Sequence, residues 1–448
     1  MTEFPRWQEG LAPGQSRDRE GELLLGGIPA KQLADRYGTP LLVVNLDVVD
    51  AAIGAFAQLG GPEALEVSYA AKAFVTVEFA RHLATRSIGL DVCSIGELTT
   101  AERGGFPAER ITLHGAGKSD EELRAACAGR VGAIVVDGIE ELERLARFSG
   151  SRCGAAVLLR LNVGIEAQTH AFVRTGGDDT KFGIHPRDEA AAIALLRSRP
   201  HLRYEGLHAH VGSQVRERAA YRANAAALME AASRFAAAGL TSRRIVIGGG
   251  FAIATHPDAP GESLDVAATV HDALALVSAA ARENRIAPPR LGIEPGRAIV
   301  ALAGTTLYRV LAVKRQSHRT FVIVDGGIAE NPRPALYGAR HLVIAADSAG
   351  GDAADFTLCG RSCENDELGI ARLPSSLRSG ALLAMCATGA YTFSMAGNYN
   401  RFPRPAVLAV GGGSDRLLAR RESLDDVLRG DAVAGEASDE SARAPVTL

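Results

Sequence analysis

The sequence predicts a (β/α)8 TIM-type barrel joined to a C-terminal antiparallel β-sandwich or β-barrel domain that also takes the N-terminal strands. Two observations lead there. Eight short apolar runs recur along residues 67–294, with helix-like stretches between most of them, and eight strand–helix units are the count that closes such a barrel. After Arg297 the texture changes to short extended runs separated by Gly, Pro and Asp clusters, the pattern of an antiparallel sheet.

The elements follow in order. Residues 1–20 are polar and rich in Gly, Pro and Arg, and are expected to be loose. Pro40–Val44 is extended and precedes the barrel pattern, so the sheet domain is expected to be discontinuous, over 21–44 and 298–430, around a barrel over 45–297. The barrel runs are Val67–Ala71, Gly89–Val92, Ile111–Leu113, Ala133–Val136, Ala156–Leu161, Gly206–Ala209, Ile245–Ile247 and Leu291–Ile293. Between them, Thr76–Thr85 places Val77, Ala80 and Leu83 on one helical face, and Glu217–Ala238 has apolar positions at helical spacing. Ser119 followed by Asp120, Glu121 and Glu122 reads as a helix start, a serine cap and then acids at the positive end. The later strands are expected at Thr305–Val313, Arg319–Val324, Asp355–Leu358, Leu382–Met385 and Pro405–Val410. Residues 431–448 lack aromatics, are rich in Ala, Ser and acids, and read as a disordered tail.

Composition narrows the function. The 448 residues are 47% apolar and 23% charged, an ordinary globular balance with ample core. A net charge of −3 gives no reason to expect nucleic acid or an acidic membrane surface. No apolar run approaches the roughly 20 residues of a membrane span, and MTEFPRWQEG is no signal peptide, so a cytoplasmic location is expected. The six cysteines, at 93, 127, 153, 359, 363 and 386, show neither CxxC pairs nor His-rich spacing. They read as free thiols, with no metal expected.

Nearly every barrel run stops at a residue able to do chemistry, and barrel active sites sit at those C-terminal ends. The stops include Lys72, Asp91, Ser94, His114, Asp137, Asn162 and His210. Lys72, desolvated, can act as a nucleophile towards an aldehyde; the plainer alternative is a rim lysine reaching solvent. Gly248, Gly249 and Gly250 follow the seventh run and can cradle a phosphate with backbone N–H groups, or simply form a tight turn. Glu294 and Arg297, in GIEPGR, can pair with a ring nitrogen and a carboxylate, or with each other. His208 and His210, two apart on a strand, share a face. One could stack on a flat ring while Ser213 reaches a phosphate, or either could be a core histidine. Jointly, an aldehyde, a phosphate and a ring nitrogen describe pyridoxal 5′-phosphate.

YAAKA, GLDVCSIGEL, RLNVGIEAQTHAFVRTGGDDTKFGI, HVGSQ, GGG, EPGRAIVALAGT, NPRPALYGA, CEN and ATGAYTFSMAGNYNRFPRP occur in this order. With these blocks the chain resembles the diaminopimelate decarboxylases, barrel-type decarboxylases that use pyridoxal phosphate, from about residue 23 to 430. The segment Arg160–Ile184 is the part most particular to that branch. The resemblance implies that Lys72 forms the Schiff base and His210 stacks on the ring. Ser213, Gly248, Gly249, Gly250 and Tyr391 would hold the phosphate, Glu294 would pair with the ring nitrogen, and Gly296 would lie at the cofactor. Arg297, Arg333 and Tyr337 would grip the substrate's distal carboxylate, and Glu364 its distal ammonium. Cys363 would return a proton to Cα. In this family Cys363 and Glu364 reach into the partner subunit's site, which implies a homodimer with shared sites.

The chain departs from the family at three places. Ala116 and Gly117 replace two amides of HGNNKS, Asn365 replaces the serine of CES, and Asp366 replaces the glycine that follows, making Asn365-Asp366-Glu367 unusually acidic. A decarboxylase of another basic amino acid, a racemase on a similar barrel, a non-catalytic homologue that binds the cofactor and a barrel enzyme without it remain the alternatives.

Overall fold

The computed structural model describes residues 3–150, 153–165, 180–347 and 352–431. They fall into two units, residues up to Pro13 with Val48–Leu302, and Gly14–Asp47 with the chain from Ala303 onward. Residues 166–179, inside the branch-specific segment, and all but the first residue of the expected tail over 431–448 lie outside the described residues.

The first unit is a closed barrel of eight parallel strands. They are β1 (Leu65–Ala70), β2 (Gly89–Val92), β3 (Ile111–Leu113), β4 (Ala133–Val136), β5 (Ala156–Arg160), β6 (Tyr204–His208), β7 (Arg244–Val246) and β8 (Arg290–Ile293). β8 closes on β1 with Leu291 opposite Leu65 and Ile293 opposite Val67. Parallel strands buried on both faces carry continuous apolar runs, which is why β3 and β4 are buried throughout. Alternate residues Ala133 and Val135 of β4 and Ala156 and Leu158 of β5 meet Val246 in one buried cluster.

Local signals set the helices. Thr76 caps Val77–Ala84 by accepting from the Phe79 N–H. Ser119 and Glu122 form a reciprocal capping box at the start of Asp120–Cys127. The long helix Arg218–Ala237 buries Tyr221, Asn224, Ala225, Leu228, Ala232 and Phe235, one face at a period near 3.6.

Residues 1–20, expected to be loose, are tied down from residue 3 onward. Phe4 packs edge-on against Phe56 at 4.8 Å, and the Trp7 indole donates to the Ala254 carbonyl at 3.0 Å. Burying aromatic surface offsets the cost of ordering the segment. Gln15–Arg17 pairs with Leu23–Leu25 in the second unit.

That second unit is built on Gly304–Arg315, antiparallel to Leu41–Asn45, Thr320–Val324 and Leu382–Cys386. Two pairings are parallel, Leu41–Asn45 with Ala406–Gly411 and Thr320–Val324 with Ala353–Cys359. Tyr308, Val322, Phe356, Leu358, Leu373 and Met385 lie in its core. Strands Val343–Ala345, Glu367–Pro374 and Ser414–Ala419 were not legible in the sequence. Glu367–Pro374 buries Leu368, Ala371 and Leu373 but leaves Ile370 exposed, so its pattern does not alternate cleanly. Among the described residues no helix is long and apolar enough to cross a membrane.

Candidate active site

The C-terminal ends of the barrel strands bring together several of the reactive residues that the sequence placed there. Lys72 is exposed, in a single helical turn, Ala71–Ala73, directly after β1. The end of β1 is tied to the end of β8 by the Ala70 N–H, which donates to Pro295 O at 3.2 Å. Gly296 fills the space beside it, since a Cβ there would stand 3.0 Å from the Ala73 Cβ and 3.1 Å from the Ala70 Cβ.

Glu294 follows β8. One oxygen lies 3.1 Å from His208 Nε2 and the other 3.4 Å from His114 Nε2. Burial alone would raise this carboxyl, but His208, His114 and His210 outweigh it and hold it below the ordinary carboxylate range. His208 is 1% exposed, and burial brings it down to about 4 against the pull of Glu294, so near pH 7 it is neutral and donates from Nε2. His210 is lowered as well, first by burial and then by the charge of Lys72. Its Nδ1 accepts from the Gly249 N–H at 3.3 Å. Lys72, His210 and the glycine triplet thus share one neighbourhood.

The triplet admits no side chain. A Cβ on Gly249 would stand 1.9 Å from Glu294 O, and one on Gly250, at φ +83°, would stand 1.8 Å from Gly212 O. Ser213 accepts from Arg297 Nη2 at 3.5 Å, so these two residues also meet.

Sequence reasoning missed the groups that support this mouth. Asn224, fully buried, donates to Ile247 O at 3.1 Å, and Tyr221 donates to Gly249 O at 3.1 Å. The one legible signal was two polar residues on the apolar face of an Ala-rich helix. Arg160, at the end of β5, stands 3.4 Å from Asp137 and 4.4 Å over the Phe182 ring. The HGAGKS departure leaves the block anchored. Lys118 is 2% exposed, pairs with Glu141 at 2.8 Å and donates to Gly115 O at 2.8 Å.

The remaining residues belong to the sheet unit. Arg333 opens a short helix, with its guanidinium 5.4 Å from the Tyr337 ring centre and 5.6 Å from that of Tyr391. Tyr391 is held at φ +60°, a strained value for a side-chain-bearing residue and one found at functional sites. Cys363 and Glu364 are exposed. The Cys363 N–H donates to Asn400 Oδ1 at 3.2 Å, and the Tyr399 hydroxyl donates to Glu364. The acidic run beyond them is spent on structure. Asp366 is 4% exposed and accepts from the Ile328 N–H at 2.8 Å, while Glu367 pairs with Arg319 at 2.8 Å.

Residues 47–301 match the model of the pyridoxal-dependent decarboxylase, pyridoxal binding domain. A diaminopimelate decarboxylase of Actinosynnema pretiosum subsp. auranticum is 45% identical over 439 residues, 96% of this chain and 97% of that one. This chain belongs to the diaminopimelate decarboxylase family. A relative of the same name from Bacillus subtilis (strain 168) is 39% identical, covering 93% of this chain and 97% of its own. The crystal structure of the diaminopimelate decarboxylase from M. jannaschii superposes with a TM-score of 0.86 at 28% identity, over 94% of this chain and 98% of that one. The same protein in co-complex with L-lysine gives 0.84 at 27% identity, with the same coverage. The chain is therefore a carboxy-lyase that uses pyridoxal phosphate, and its residues fit that cofactor. Glu294 is a partly buried carboxylate, held below the ordinary carboxylate range and bonded to a His208 that burial keeps neutral, so it can pair with a cation such as a protonated ring nitrogen.

Proposed function

We propose that the chain removes CO2 from meso-2,6-diaminopimelate to give L-lysine, the last step of lysine biosynthesis, as a cytoplasmic homodimer. The observation that carries this reading is Glu294, 3.1 Å from His208 Nε2, in the same strand-end cluster as His210, beside Lys72 and the glycine triplet. The L-lysine held by the M. jannaschii relative is what this reaction would yield.

Lys72 is assigned to hold the cofactor's aldehyde, His210 to lie against its ring and Glu294 to keep its nitrogen protonated. Ser213, Gly248, Gly249, Gly250 and Tyr391 are assigned to its phosphate, with Gly296 giving room beside β1. When bound, pyridoxal phosphate supplies an electron sink for the charge left at Cα as CO2 departs. Arg297, hydrogen-bonded to Ser213, is placed to serve anionic groups. Arg333 and Tyr337 are assigned to the substrate's distal carboxylate and Glu364 to its distal ammonium. Cys363 is assigned to return a proton from its thiol to Cα, acting with Glu364 in the partner subunit's site.

Charge sets the selectivity. A site built for a carboxylate and an ammonium at the far end of the substrate leaves its own groups unpaired when either is missing. Ornithine and lysine lack the distal carboxylate and should be poor substrates. The test is release of CO2 and L-lysine from meso-diaminopimelate by purified protein loaded with the cofactor, beside ornithine and L-lysine. Faster turnover of ornithine would replace the substrate, and no turnover with cofactor bound would make the chain a binder only.

A further inference from the structure

Behind Glu294 runs a chain of polar groups that the reading above does not use. Ser68 Oγ donates to Asp91 Oδ1 at 2.6 Å. His114 Nε2 stands 3.5 Å from that oxygen and 3.4 Å from Glu294 Oε1, within ion-pair reach of both but hydrogen-bonded to neither, and His208 holds the other oxygen of Glu294. Asp91 is 7% exposed, and its Oδ2 has no hydrogen-bond partner among the described residues.

Two carboxyls therefore flank one imidazole in a largely enclosed place, and charging both is costly. Burial first, and the charge of Glu294 second, push Asp91 towards its neutral form. Glu294, with a histidine on each oxygen, is pushed the other way. Acids whose surroundings drive them apart divide the work between them. The His114 ring stands within 3.5 Å of both carboxyls and edge-on to His208 at 5.3 Å.

We propose that His114 is a positioning residue: braced by Asp91, it holds Glu294 ionised and aimed at the ring nitrogen of the cofactor. This rests on the assignment of Glu294 above. The other groups that act on Glu294 are His208, His210 and Arg160, and Lys72 acts on His210. All of them stay in place in every variant of His114.

The test uses the full chain stripped of cofactor, titrated with pyridoxal phosphate from about pH 5 to about pH 9 and followed by absorbance. His114→Ala removes the ring. His114→Phe keeps its bulk without a nitrogen, and His114→Gln keeps a donor. Thermal unfolding checks that each variant folds. Wild-type affinity should persist to the acid end. In His114→Ala and His114→Phe, Glu294 should take up its proton earlier, so the pH at which affinity halves rises by about one unit or more. His114→Gln, which offers a donor but no charge, should recover only part of that shift. A purely structural histidine would instead lower affinity by one factor at every pH. Curves for His114→Phe that run parallel to wild type, with an unmoved midpoint, would remove His114 from this role. Glu294→Gln separates the two claims, because it should bind weakly at every pH. If it binds like wild type, the reading of Glu294 itself fails.

Discussion

The barrel mouth and the Cys363 loop carry comparable chemistry in opposite surroundings. At the mouth, His208 and Asp91 are buried, and each charged group is met by others of the same unit. In the sheet unit, Cys363 and Glu364 are exposed, held by local hydrogen bonds that include the Cys363 N–H to Asn400 and the Tyr399 hydroxyl to Glu364. Burial sharpens electrostatics and fixes geometry before any ligand arrives. An exposed thiol and carboxylate lack that advantage. The first region is therefore assigned to the cofactor and the second to another copy's site.

The largest effect would come from the mouth. Lys72→Ala should lower turnover by about four orders of magnitude or more, and borohydride should no longer fix the cofactor to the protein. A label still fixed covalently by borohydride would mean another amine does the work. Cys363→Ala should slow decarboxylation by about two to four orders of magnitude with cofactor affinity intact. Mixing the two inactive variants then probes the contrast directly. If the Cys363 loop serves a second copy, randomly reassorted dimers should regain about a quarter of wild-type activity. No recovery after demonstrated subunit exchange would place both groups in one chain's site.

Smaller effects sharpen the picture. Arg333→Ala should raise KM for meso-diaminopimelate by about 10- to 100-fold with less change in kcat, whereas an unmoved KM would place the distal carboxylate elsewhere. The least visible effect is on stability. His208 is brought down to about 4, so between pH 6.5 and 4 the unfolded chain takes up a proton that the folded chain refuses. Its contribution is present above pH 6.5 and is lost as pH falls towards 4, about 3 kcal/mol in all. Urea unfolding of wild type against His208→Gln across that window should show the difference, and equal slopes would mean His208 titrates normally when folded.

Much of this was legible beforehand because it is local. Each of the eight barrel strands overlaps its apolar run, and the Ser119 cap and the Thr76 helix lie where composition put them. Other features were hidden because they depend on what packs against them. Nothing in Phe4 or Trp7 announces that Phe56 and the Ala254 carbonyl will hold them. Asp366 looked like surplus charge beside the thiol until its carboxylate was found taking the Ile328 N–H.

By itself the sequence determined the alternation of strands and helices and the reactive residue at each strand end, because side-chain periodicity and capping act over a few neighbours. Only the tertiary structure decided which of those residues bear charge. Asp91 and Glu294 are the same kind of acid at the ends of different strands. Closure of the barrel puts both against His114 and gives His208 to Glu294 alone: burial, and then the charge of Glu294, drives Asp91 towards its neutral form, while the histidines keep Glu294 ionised through contacts distant in sequence.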